Sequence, residues 1–183
     1  KKVAAFADHY LHIDLDQVCR MIVFQFEKSC FATKSIMERQ TLKEEIVKRI
    51  NLVMPSTIFC VFPEGDQCVT GVLEKDKETI KKIERLHEEL SRKGLPCKVG
   101  IGNGYNQVSG YRKSFEEAKA SIDLLMTFAP DTSISSIQEW GILRLIQQLP
   151  GEVQESFLKD YFLDKPPLQG ELRRTLVTLF NCQ

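Results

Sequence analysis

Residues Cys19 to Glu27 read CRMIVFQFE, with β-branched, aromatic and sulfur-bearing side chains on both faces of the pleat. A strand with one face in water alternates apolar and polar residues, whereas one that is apolar on both faces must be covered twice. Such a segment belongs in the middle of a sheet. The rest of the chain must then supply neighbours on both edges and layers on both faces, and 183 residues suffice for one such domain plus an appended helical element.

The following patterns meet that demand. Thr41 and Glu44 stand at capping-box spacing, and Ile46, Ile50 and Val53 continue at helical spacing until Pro55. Thr57 to Phe62 and Gln67 to Leu73 read as two strands joined through Pro63, Glu64, Gly65 and Asp66, which predicts a β-hairpin. From Asp76 to Lys93, Ile80, Ile83, Leu86 and Leu90 form an apolar stripe among lysines and glutamates, with Gly94 as the stop. Cys97 to Gly102 reads as another strand, and Ser114 with Glu117 as a second capping box opening a helix through about Phe128. The expected fold class is therefore α+β, with a βαββαβ ferredoxin-like or palm sheet, mostly antiparallel, and the first two helices on one face. A short strand around Ser133 to Ile137 then gives way to helical patterns at Trp140 to Gln147, Val153 to Phe162 and Leu172 to Phe180, with a hinge at Pro166 and Pro167. The domain reading is 1–18 as the end of an N-terminal linker helix, 19–138 as the sheet domain, and 139–183 as a helical connector.

Composition excludes several function classes. Twenty-five basic and twenty-five acidic side chains balance, unlike the basic excess of a nucleic-acid-binding module. The lysines and arginines between Lys77 and Lys93 alternate with Glu78, Glu84, Glu88 and Glu89, as on a solvated helix. The six cysteines show no CxxC spacing and read as buried reduced thiols, and His9, His12 and His87 form no metal-like cluster with them. The longest candidate apolar run, Met21 to Phe26, is broken at Gln25, so neither a signal peptide nor a membrane span is expected and the chain reads as cytoplasmic. Gly100, Gly102 and Gly104 follow a strand, but the third position of a GxGxxG loop falls on Tyr105 and no helix is expected directly there. Ser114 and Glu117 lack the base and oriented third group that a serine nucleophile needs.

VGIG at Val99 to Gly102, SFEEA at Ser114 to Ala118 and WGILRLI at Trp140 to Ile146, in that order, resemble bacterial transcription regulators of the CdaR/PucR type, which act in sugar-diacid and purine catabolism. Glu171 to Phe180 (ELRRTLVTLF) resembles the helix that precedes their helix-turn-helix. The resemblance implies a GGDEF-like middle domain, related to the diguanylate cyclase palm, used as an effector-sensing or dimerisation module. It also implies a homodimer that reaches DNA through a C-terminal domain beyond this chain. The implied effector is an organic acid, a purine catabolite or an amino acid.

A GGDEF cyclase places its Gly-Gly-Asp/Glu-Glu-Phe signature on the central hairpin turn, where glycines let the backbone approach the nucleotide and the acid holds a divalent metal. Here the turn reads Pro63-Glu64-Gly65-Asp66-Gln67. The doubled glycine is missing, and Pro63 removes a backbone N–H. On the first strand, where the cyclase needs a metal-ligating aspartate, this chain has Phe24, Gln25, Phe26 and Glu27. Only Glu27, Glu64 and Asp66 remain to offset cation charge. No catalytic residue, metal ligand or cofactor is therefore expected; the alternative is an active metal-dependent nucleotide cyclase. The mixture of glycine, amides, tyrosines and adjacent cations in 103–113 makes Asn103, Tyr105, Tyr111, Arg112 and Lys113 the candidate ligand or interface residues, against a plain solvated loop as the competing reading.

Overall fold

The computed structural model describes residues 17–73, 78–141 and 152–153. The chain divides into two units, 1–139 and 140–183, and the fold that follows belongs to the first. The linker helix expected at the N-terminus, nearly all of the helical patterns beyond Trp140, and the Pro166–Pro167 hinge lie outside the described residues.

The elements run β1 (Cys19–Phe26), α1 (Ser29–Ala32), α2 (Ile36–Val53), β2 (Thr57–Glu64), β3 (Gln67–Leu73), α3 (Thr79–Arg92), β4 (Cys97–Tyr105), α4 (Gln107–Phe128) and β5 (Ile134–Ser136), followed by a 3-10 turn at Ile137–Trp140. They build a mixed α+β domain whose five-stranded sheet has the order β2-β3-β1-β4-β5. β1 is central, antiparallel to β3 (Phe24 opposite Cys68) and to β4 (Phe24 opposite Val99). β5 adds parallel to β4, Val99 opposite Ile134. Among the described residues no helix is long and apolar enough to cross a membrane.

Both faces of β1 are covered, as its composition requires. Ile22, Phe24 and Phe26 pack with Ile46 and Ile50 of α2 and with Ile83, Leu86 and Leu90 of α3. On the opposite face Val23 packs with Val69 and with Ala118 and Ile122 of α4. Each large apolar side chain removed from water in this way contributes about 1.5–3 kcal/mol. α4 can lie close to β4 because a Cβ on Gly100 would overlap the Ala118 carbonyl oxygen, and one on Gly102 that of Ser114. α3 ends in a Schellman motif, Leu95 N–H to Leu90 O and Gly94 N–H to Ser91 O, both 3.0 Å, with Gly94 at φ +74°.

Two helix starts differ from the sequence expectation. α2 begins six residues before Leu42, capped by Ser35 and Glu38: the Ser35 N–H donates to Glu38 Oε2 at 2.7 Å and the Glu38 N–H to Ser35 Oγ at 3.3 Å. Thr41 lies inside the helix and donates to the Met37 carbonyl at 3.0 Å. α4 likewise begins at Gln107, so Ser114 and Glu117 are interior helical residues and not a cap. A helix does therefore open just after Tyr105, yet Gly100 and Gly102 lie against its middle rather than around its N-terminus.

Candidate functional site

Two places gather the residues singled out by the sequence. The first is the corner where the end of β1 meets the β2–β3 turn. Gly65 and Asp66 form the two-residue link, with Gly65 at φ +55° in the first central position, as a type II′ turn demands. Pro63 and Glu64 belong to β2 itself. The Phe26 N–H donates to the Asp66 carbonyl at 3.0 Å, which fixes the turn to the end of β1.

Gln25 sits opposite Gln67 on β3 and Lys98 on β4. The Gln67 amide donates from Nε2 to Gln25 Oε1 at 3.1 Å, and Gln25 Nε2 donates to the Phe26 carbonyl at 3.4 Å. Lys98 turns its ammonium to the carbonyls of Pro130 (2.5 Å) and Thr132 (2.6 Å). Glu27 accepts from the Ser29 hydroxyl at 3.3 Å. The corner thus presents a neutral amide pair, and among the described residues no three His, Cys, Asp or Glu side chains converge as a metal site. Gln25 and Gln67 bring neutral amide oxygens to this corner, whereas a divalent ion prefers hard, anionic ones. Gln67 and Ser29 were not visible as participants in the sequence, because their partners are set by strand register and by the short helix α1.

Behind this corner, Phe26, Phe31 and Phe62 form an aromatic cluster. Phe26 and Phe62 stack with centroids 5.9 Å apart, Phe31 meets both edge-on, and the Lys43 ammonium stands 5.1 Å from the Phe62 ring. These rings bring α1, α2 and β2 together beside the turn.

The second place is 103–113, which is not a loop but the end of β4 and the first turns of α4. Asn103 is held through its N–H by Glu117 Oε2 at 3.0 Å and through its side-chain oxygen by Gln138 Nε2 at 2.7 Å. Tyr105 donates to Glu117 Oε1 at 2.8 Å, and the Lys113 ammonium covers its ring at 4.8 Å. Tyr111 is buried and donates to the Gln17 carbonyl at 2.9 Å. Arg112 pairs with Glu116 at 2.8 Å on the exposed side of the helix. Asn103, Tyr105 and Lys113 are brought together, whereas Tyr111 and Arg112 leave in other directions. Between them Ser114, fully buried, donates to the Asn103 carbonyl at 2.5 Å and accepts from the Met21 N–H at 2.9 Å.

Sheet order, the β2–β3 hairpin beside the central strand and helices on both faces define a palm-type α+β domain of the GGDEF kind. The GGDEF-like domain family matches residues 4–124, and the chain belongs to it. Among solved structures it is similar to the GGDEF domain of DgcB from Caulobacter crescentus in complex with c-di-GMP, with a TM-score of 0.52, 12% identity, and 75% of this chain and 85% of that one covered. A structure of the coiled coil and GGDEF domain of the same protein, also with c-di-GMP, gives a TM-score of 0.52 and 12% identity over 74% and 75% of the two chains. At that identity the likeness concerns the fold. No curated protein matches the sequence.

Proposed function

We propose that this GGDEF-like domain is a non-catalytic regulatory module of a bacterial transcription regulator of the CdaR/PucR type. In this reading it senses a small effector or self-associates, and passes the signal through a helical connector at 139–183 to a DNA-binding domain beyond this chain. The observation that carries the reading is the Gln25–Gln67 amide pair, 3.1 Å, at the corner where a cyclase would gather anionic metal ligands. The motifs at Val99 to Gly102, Ser114 to Ala118 and Trp140 to Ile146 supply the link to the regulators.

A regulatory domain of this kind works by differential affinity of its effector for two arrangements, and a homodimer suits the symmetric half-sites that many regulators read. The second reading, a metal-dependent nucleotide cyclase, draws on the likeness to c-di-GMP-bound DgcB.

A thermal-shift screen separates them. GTP with magnesium or manganese, c-di-GMP, and a panel of organic acids, purine catabolites and amino acids are each added to the folded chain. A ligand that binds only the native state raises Tm by mass action. A shift with a metabolite and none with GTP supports the sensor; metal-dependent stabilisation by GTP together with turnover overturns it.

A further inference from the structure

The β2–β3 hairpin brings two thiols into contact. Cys60 Sγ and Cys68 Sγ lie 3.5 Å apart, and the Thr70 hydroxyl donates to Cys60 Sγ at 3.3 Å. Cys60 is half-buried, while Cys68 is fully buried against Phe24 in the sheet core. Thr70 is the direct cross-strand partner of Cys60, so Cys68 stands two residues further along β3 on the same face, a diagonal neighbour. A register irregularity between Val61 and Glu64 lies next to the pair, and such a bulge increases local twist and lets the strand bend.

We propose that Cys60 and Cys68 are a peroxide-responsive thiol pair that closes reversibly into a disulfide across the β2–β3 hairpin. Cys60 is the attacking sulfur. It is the half-buried one of the two and receives the Thr70 hydroxyl, whereas Cys68 is sealed in the core; the contact with Cys68 and that hydroxyl lower its pKa from the ordinary thiol value, and the same contact with Cys60, together with burial, pushes Cys68 up. The remaining described cysteines are poorer nucleophiles: burial pushes Cys97 up to about 12 and Cys19 up to about 11, and burial likewise raises Cys30.

The Cys60 thiolate attacks one oxygen of hydrogen peroxide, the O–O bond breaks, and hydroxide leaves and takes up a proton to become water, giving a sulfenic acid at Cys60. The Cys68 sulfur then attacks the Cys60 sulfur; the S–O bond breaks, and the departing oxygen leaves as water with the Cys68 proton. In sum, two thiols and one peroxide give one disulfide and two waters. A small oxidant suits a half-buried strand sulfur, which leaves little room for in-line approach by a bulky disulfide. A dithiol reductant reopens the cross-link by thiol–disulfide exchange. Closure draws β2 toward β3 between the Phe62–Phe26 stack and Gln67, and so links the redox state of the hairpin to the corner around Gln25.

The test maps disulfides by mass spectrometry without reduction, in the whole chain carrying Cys182→Ser so that cross-links through that cysteine do not intrude. Stoichiometric hydrogen peroxide is expected to give a Cys60–Cys68 link as the first product, reversed by dithiothreitol. Before oxidation Cys60 should alkylate on the order of tenfold faster than Cys97. Cys68→Ser should leave a sulfenic acid at Cys60 that dimedone captures, and Cys60→Ser should abolish the link. Peroxide treatment that leaves both thiols open to alkylation, or that joins either of them first to another cysteine, would overturn the pair. A glutathione adduct at Cys60 formed faster from oxidised glutathione than the internal link forms from peroxide would overturn peroxide as the oxidant. The mapping itself needs no substitution at either position, so a poorly folding serine variant cannot obscure it.

Discussion

Glu117 receives the backbone N–H of Asn103 at 3.0 Å, so a carboxylate that is only 5% exposed on α4 takes over the β5-facing edge of β4 beyond Ile101. The same carboxylate accepts the Tyr105 hydroxyl through its other oxygen. Removing it leaves a backbone donor and a phenol without their acceptor in a largely dry joint. Glu117→Leu is expected to cost about 2–4 kcal/mol and Glu117→Gln, which keeps one acceptor, about 1–2 kcal/mol. Urea denaturation checks this; equal losses for both variants would mean that the side chain serves only as filler.

Gly100→Ala tests the close approach of α4 to the sheet. The new methyl group meets the Ala118 carbonyl oxygen, a backbone atom that cannot swing aside, together with Ile122. A loss of roughly 3 kcal/mol or more is expected, at the upper end of what overpacking costs. Retention of wild-type stability would show that the helix has slack to move outward.

The Arg49 guanidinium reaches Glu89 with Nε at 2.8 Å, and Lys93 approaches the same carboxylate at 3.2 Å. The Arg49 hydrogen bond, aided by Lys93, holds the Glu89 carboxyl below its ordinary value. A group whose folded pKa is depressed stabilises the native state above its unfolded pKa and loses that contribution as pH falls through the folded value. Wild type is therefore expected to exceed Arg49→Ala in Tm near neutral pH, with the gap narrowing once the solution becomes more acidic than the ordinary glutamate range. Thermal melts of both proteins along a pH series check the sign; a gap that widens on acidification would contradict it.

Gln25→Asp places a carboxylate at the first-strand position where a cyclase carries one. The shorter side chain cannot span to Gln67 as Gln25 does, so Tm is expected to fall. One added anion beside a neutral amide does not make a divalent site, which needs several oxygens converging. Manganese should shift the melts of Gln25→Asp and wild type alike. A manganese-specific stabilisation of the variant would show that Glu27 or Asp66 can join as ligands.

Much of this architecture could be read from local patterns. β1, the hairpin and α3 follow from two-sided apolar composition, a turn cluster and a regular stripe, each a property of neighbouring residues. Ser35–Glu38 and Thr41–Glu44 share the same spacing, so local pattern does not choose between them as the start of α2. The opening turn also hides the helix, since Ile36 and Met37 are 84% and 76% exposed and contribute no buried stripe. The start of α4 is hidden for the opposite reason. Ser114 and Glu117 are polar yet buried, bonded to the strand beneath, and thus break the apolar periodicity inside the helix. The Gln25–Gln67 pair depends on register across two strands, which no linear spacing encodes; the resemblance to cyclases singles out Gln25 but not its partner.

The central place of β1 also dictates the order in which the chain can mature. Phe24 finds its cross-strand partners in Cys68 and Val99, both far downstream, so β1 precedes in the chain both strands that flank it. Loop-closure entropy must be overcome before either pairing is rewarded. Until β4 has been synthesised, one edge of β1 has no strand beside it, and an unpaired apolar strand edge is prone to aggregate.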